Sequence, residues 1–176
     1  MSGPSASDQT RSPANLLYTD FEGELASTRR ILERYPEGKV DWKPHDKSMA
    51  LGALATHIAE LPGLGAMLLE MDGVDIAARE HKAPASNSAE LVKLFDTTAA
   101  KLRAAVANAT YADLEKKWTL RFGDQVLLTG TRRELMRGLL MNHIIHHRAQ
   151  LGVYYRLLGI PVPGIYGPSA DEPPGA

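Results

Sequence analysis

The sequence predicts an all-α fold: a four-helix bundle with a short β-hairpin between helices three and four. Three observations carry this. Apolar residues recur at helical spacing in four separate segments. Helix-start signals stand ahead of them, including box-like patterns at Asn87-Ser88-Ala89-Glu90 and Thr131-Arg132-Arg133-Glu134. Between the last two segments, residues 118–122 alternate apolar and polar, and Gly123-Asp124 offers turn chemistry before Gln125-Val126-Leu127-Leu128, the pattern of a hairpin. Four helices with one apolar stripe each bury those stripes against one another.

Taken in order, residues 1–11 are small and polar and read as a disordered N-terminal tail. Ser12 as N-cap and Pro13 at the first helical position open helix one. Its stripe is Leu17, Phe21, Leu25, Thr28, Ile31, Leu32 and Tyr35, and Pro36 with Gly38 ends it. A connection follows, extended ahead of Pro44. Trp42 is expected to cover one end of the bundle and His45 to be a solvated loop histidine. Helix two begins near Asp46 or Ser48, either of which could cap it, and runs to about Met71. Ala50, Leu54, His57, Leu61, Leu64 and Leu68 share one arc, and Pro62 is a kink site.

The stretch from Asp72 to Pro84 reads as irregular, with His81 on the surface. Helix three follows Asn87, with Leu91, Leu94, Phe95, Thr98, Leu102, Ala105 and Val106 inward. Helix four follows Thr131 and runs to about Leu158, where Gly159, Pro161 and Pro163 stop it. Its expected inner stripe is Met136, Leu140, His143, His147, Leu151, Tyr154 and Leu158. Ile165 and Tyr166 in the turn-rich tail could dock on the helices. The bundle domain is therefore 12–172, with 173–176 a C-terminal tail.

Composition narrows the function. At 176 residues, 44% hydrophobic and 23% charged, the chain suits a single soluble domain. A net charge of −1 and the lack of a basic stripe argue against nucleic acid. No apolar run approaches the roughly 20 residues that span a bilayer, and no secretory signal opens the chain, so a cytoplasmic protein is expected. The absence of cysteine excludes thiolate ligands and a cysteine nucleophile.

The chemistry gathers in Met141-Asn142-His143-Ile144-Ile145-His146-His147-Arg148-Ala149-Gln150-Leu151, which holds three of the six histidines. His143 and His147 are one helical turn apart on one face, a spacing that chelates a divalent metal. His57 sits in the inward stripe of helix two. Three imidazoles with open positions fit a catalytic metal site. Core histidines satisfied by one another, by Tyr154 or by buried water are the alternative. His146 lies about 60° from His143 on the wheel and belongs to the rim. Glu60 is either a surface carboxylate or a group that holds a ligand or acts as a base. Gln150 turns back to the inner face, whereas Arg148 points away. There is no His-Glu-x-x-His, no glycine-rich phosphate loop and no Gly-x-Ser-x-Gly.

Asp41-Trp42-Lys43-Pro44, Leu51-Gly52-x-Leu54-x-x-His57, His143-x-x-His146-His147-Arg148-x-Gln150-Leu151 and the closing Gly159-Ile160-Pro161-Val162-Pro163-Gly164-Ile165-Tyr166-Gly167-Pro168-Ser169-Ala170 together resemble the DinB-like family over roughly residues 12–172. The resemblance implies a four-helix bundle, a homodimer and a divalent metal, zinc or nickel, on three histidines that match His57, His143 and His147. It also implies thiol-dependent transferase or isomerase chemistry with a low-molecular-weight thiol cosubstrate.

The leading expectation is thus a metal-dependent enzyme that activates such a thiol for S-transfer to a small electrophile. Its alternatives are a hydrolase using bound hydroxide and a non-catalytic dimeric bundle with a structural or sensory metal. The residues name no general base.

Overall fold

The computed structural model describes residues 12–78 and 83–174. The tail expected at 1–11, His81 and the last two residues lie outside them. The chain is mostly helical, with a three-stranded sheet to one side.

Helix α1 (Pro13–Leu17) is capped by the Ser12 hydroxyl, which accepts the Asn15 amide at 3.3 Å, as expected. The single first helix expected from the stripe is broken, however, and α2 (Phe21–Leu32) starts afresh. Long-range contacts hold the break: the Tyr18 hydroxyl donates to the Arg133 carbonyl at 2.7 Å, and the Asp20 carboxylate pairs with Arg137 at 2.8 and 3.0 Å. α2 buries Phe21, Leu25, Ile31 and Leu32, with Glu24 and Thr28 among them.

Helix α3 (Leu51–Glu70) starts later than expected, and neither Asp46 nor Ser48 caps it. Two carbonyls of the preceding loop do so instead: Trp42 accepts from the Leu51 amide at 2.8 Å and Val40 from the Gly52 amide at 2.9 Å. That crossing is close enough to need glycine, since a Cβ on Gly52 would lie 2.7 Å from Val40 Cγ1. Trp42 packs edge-on against Tyr154, ring centres 5.5 Å apart, and His45 is an exposed loop residue as expected. By length and composition α3 alone, among the described residues, could cross a membrane, contrary to the expectation that no run is long enough. In this fold 61% of that window is buried inside the protein, as in a core helix.

The stretch after α3 is not wholly irregular. β1 (Gly73–Asp75) runs parallel to β2 (Lys117–Phe122), which pairs antiparallel with β3 (Gln125–Thr131) through the expected hairpin turn at Gly123, φ +56°. Helix α4 (Ser88–Asn108) is capped by Asn87, while Glu90 bonds the Ser86 amide rather than completing a box. A short α5 (Tyr111–Glu115) is an addition, opened by a Thr110/Asp113 capping box.

The expected box at Thr131 and Glu134 opens α6 (Arg132–Leu135). A π-helical turn (Met136–Met141) leads into α7 (Asn142–Leu157), and Gly159 at φ +70° ends it. Arg132 is buried and donates to the Met71 carbonyl at 2.9 Å and to Asp72 at 3.0 Å, so it caps the last carbonyls of α3.

Two glycines test these contacts. Gly23 lies within α2 with open space where a Cβ would be, so Gly23→Ala should raise stability by about 0.5–1 kcal/mol. A Cβ on Gly65 would sit 2.4 Å from Leu140 Cδ2 and 3.0 Å from Leu102 Cδ1, both fully buried, so Gly65→Ala should cost about 1–3 kcal/mol. Urea midpoints of the two variants measure both signs.

Candidate metal centre

The site depends on how α7 is turned. In the π turn, backbone bonds reach back five residues, as from the Asn142 amide to the Arg137 carbonyl. Leu151 and Tyr154 lie inward as expected, but the two positions nearest the turn do not keep to the expected stripe. Positions 143 and 147 were expected to point inward. The residues buried in α7 are instead Ile144, Arg148, Leu151, Tyr154 and Tyr155. His143 and His147 are left half-buried on the flank of the helix that meets α3. From α3, His57 reaches the same place, also half-buried.

There the three imidazoles converge. Ring centres are 5.0 Å apart for His57 and His143, 4.8 Å for His57 and His147, and 4.6 Å for His143 and His147. One nitrogen from each lies within 4.8 Å of the other two, and the Nε2 atoms of His57 and His143 are 3.3 Å apart. The outer nitrogens of the α7 pair have other partners. His143 Nδ1 is 3.2 Å from the Leu139 carbonyl, and His147 Nδ1 is 2.7 Å from Gln150 Oε1.

These donors fit a divalent metal. Burial pushes the pKa values of His143 and His147 below the ordinary histidine range. Nearby imidazolium charge adds to this: His147 and His146 act on His143, and His146 acts on His147. Only the bonds to the Leu139 carbonyl and to Gln150 oppose it. Neutral imidazoles are the form that ligates. A tetrahedral centre with bonds of roughly 2.0–2.1 Å separates its ligand nitrogens by about 3.3–3.4 Å. The His57–His143 separation of 3.3 Å has that value.

His146 is exposed at the rim, its ring centre 4.9 Å from that of His147, and it is not part of the cluster. Glu60 is half-buried one turn beyond His57 and is likewise not part of it.

On the far side of α7 the structure corrects one expectation. Arg148 does not point away from the protein; it is 2% exposed and pairs with buried Glu24 of α2 at 2.6 Å. Its guanidinium also donates to the Glu24 carbonyl at 3.1 Å, to Thr28 at 3.2 Å and to the Tyr166 hydroxyl at 2.6 Å. Tyr166 in turn donates to the Glu24 carboxylate, 2.8 and 2.9 Å from its two oxygens. The tail does dock, as expected for Tyr166, although the ring stays largely exposed. A signal for this was available. Glu24 lies in the Phe21–Leu25–Thr28 stripe, and Arg148 is four residues from Ile144 and three from Leu151. Opposite charges at stripe positions of two helices are the mark of a buried pair.

Comparison with known proteins gives a consistent family. The sequence model described as DinB family matches residues 7–174. YrdA of Bacillus subtilis (strain 168) is 24% identical over 159 residues, 86% of this chain and 87% of that protein. A DinB-like protein from Bacillus subtilis, YjoA, superposes with a TM-score of 0.64 at 24% identity, over 84% of this chain and 96% of its own. A DinB-like protein from Bacillus cereus ATCC 10987 gives 0.63 at 19% identity, over 85% and 95%. These two structures bear on the fold.

The buried network makes a ranked prediction for urea unfolding. Arg148→Met leaves the Glu24 carboxylate buried without its cation and should cost about 3–5 kcal/mol. Tyr166→Phe removes one hydroxyl from the same network and should cost less, about 1.5–3 kcal/mol. A Glu24→Leu/Arg148→Met double variant should recover part of the loss of the first.

Proposed function

The chain belongs to the DinB family, and on that premise we propose that it is a metal-dependent enzyme that activates a low-molecular-weight thiol for transfer to a small electrophile. The observation that carries this reading is the convergence of His57, His143 and His147, with the Nδ1 atoms of His143 and His147 already bonded elsewhere. Zinc or nickel is the metal proposed, and these three residues would hold it. Bound there by neutral ligands, a divalent cation keeps its charge and lowers the pKa of a thiol or water that reaches it.

The chain's own residues support transfer from an external thiol. It has no cysteine, so the sulfur nucleophile comes from a cosubstrate. The thiolate sulfur forms a bond to the electrophilic carbon, the leaving group departs with its electron pair, and the thiol proton goes to solvent. Half-burial of the three histidines leaves the site open to small molecules, and burial lowers the pKa values of His143 and His147. The long helical segments, α1–α2, α3, α4 and α6–α7, are read as the four members of a bundle. A homodimer and a cytoplasmic setting belong to the same proposal.

Elemental analysis of protein purified without a histidine tag should give about one metal per chain. His57→Ala, His143→Ala and His147→Ala should each lose it while remaining folded. The loaded wild-type protein should conjugate a small thiol to an electrophile in a screen, and the three variants should not. Wild-type protein that stays metal-free after incubation with zinc and nickel would mean that the histidines only satisfy one another. Metal without thiol conjugation, but with hydrolysis of esters or amides, would move the reading to a hydrolase.

A further inference from the structure

We propose that Gln150 is a positioning residue that holds His147 in the tautomer able to bind metal. The proposal rests on the metal reading above. An imidazole offers Nε2 to a metal only when its single proton is on Nδ1. In water the free side chain favours the opposite form, with the proton on Nε2. A ligand that uses Nε2 therefore needs an acceptor at Nδ1.

His143 has one that no substitution removes, the Leu139 carbonyl at 3.2 Å. A carbonyl oxygen only accepts, so the Nδ1 of His143 must donate and its Nε2 is bare. His147 is supplied differently. Its Nδ1 meets the side-chain oxygen of Gln150 at 2.7 Å, one turn along the exposed edge of α7. An amide has two ends. With its oxygen toward the ring, Gln150 places the proton on Nδ1 and frees Nε2. Turned over, its NH2 group would donate to a bare Nδ1, put the proton on Nε2 and block the electron pair that a metal needs. Gln150 is itself exposed, so it contributes little to the core, and its contact with His147 is the specific one.

The experiment compares wild type, Gln150→Leu, Gln150→Glu and His147→Ala. Nitrogen-15 NMR of the metal-free proteins reads the tautomer of His147, chelator competition reads zinc affinity, and thermal unfolding reports on the fold. Wild type should hold the proton on Nδ1. Gln150→Leu should relax toward the Nε2 form and bind zinc about 10-fold or more weakly, with little change in melting temperature. Gln150→Glu keeps an acceptor and should restore both the tautomer and the affinity. A Gln150→Leu variant with wild-type affinity, where His147→Ala has lost the metal, overturns this proposal alone. So does a metal-free wild type with the His147 proton on Nε2. Failure of the wild type to bind zinc overturns the metal reading and this proposal with it.

Discussion

One extra residue, taken up in the π turn at Met136–Met141, sets the rotation of α7, and both polar contact sets of that helix depend on it. Ahead of the turn, Arg132 and the Thr131 box hold α6 against the end of α3. Beyond it, Arg148 faces α2 and the histidine pair faces α3. Arg148 is five residues from His143 and one from His147, so about 100–140° of helix separates the two contact sets.

The two contact sets are solved by different chemistry. Arg148 and Glu24 are removed from water and answer each other, with Thr28 and Tyr166 filling the remaining donor and acceptor positions. Such a pair costs desolvation on both charges, and its geometry has to be complete to offset it. The histidines are only half-buried, which costs far less, but the arrangement leaves the Nε2 atoms of His57 and His143 3.3 Å apart. At most one N–H can lie between two such nitrogens. A hydrogen bond between His57 and His143 joins two of the rings, and the third, His147, is bonded to Gln150 with its ring centre 4.6–4.8 Å from theirs. The three rings together form a group that could hold one metal ion.

Much of this was legible in the chain. The caps at Ser12, Asn87 and Thr131, the hairpin turn at Gly123 and the glycine stop at Gly159 are local signals, and each stands where the residues put it. The meeting of His57 with His143 and His147 was legible too, because i and i+4 share a face whether the helix is turned slightly or not. What failed needed information from elsewhere in the chain. The first helix breaks because Tyr18 and Asp20 are held by Arg133 and Arg137, more than a hundred residues away. The start of α3 is set by carbonyls of a loop rather than by the two good capping residues nearby. β1 exists only because β2 lies beside it, and Gly73 permits the approach, a Cβ there falling 2.5 Å from the Thr119 carbonyl oxygen. Arg148 was misplaced because its own helix alone was read, whereas the carboxylate that keeps it buried, Glu24, is on α2.

That error also bears on function. His143 and His147 do not occupy the centre of the inner face, where Ile144 and Arg148 lie. They sit on the flank, buried enough for their pKa values to be lowered, with His146 and Gln150 beside them exposed. Structural sites are enclosed and catalytic ones keep a position accessible. The phase of α7 therefore leaves the three histidines half-buried at the edge of the core rather than enclosed in it.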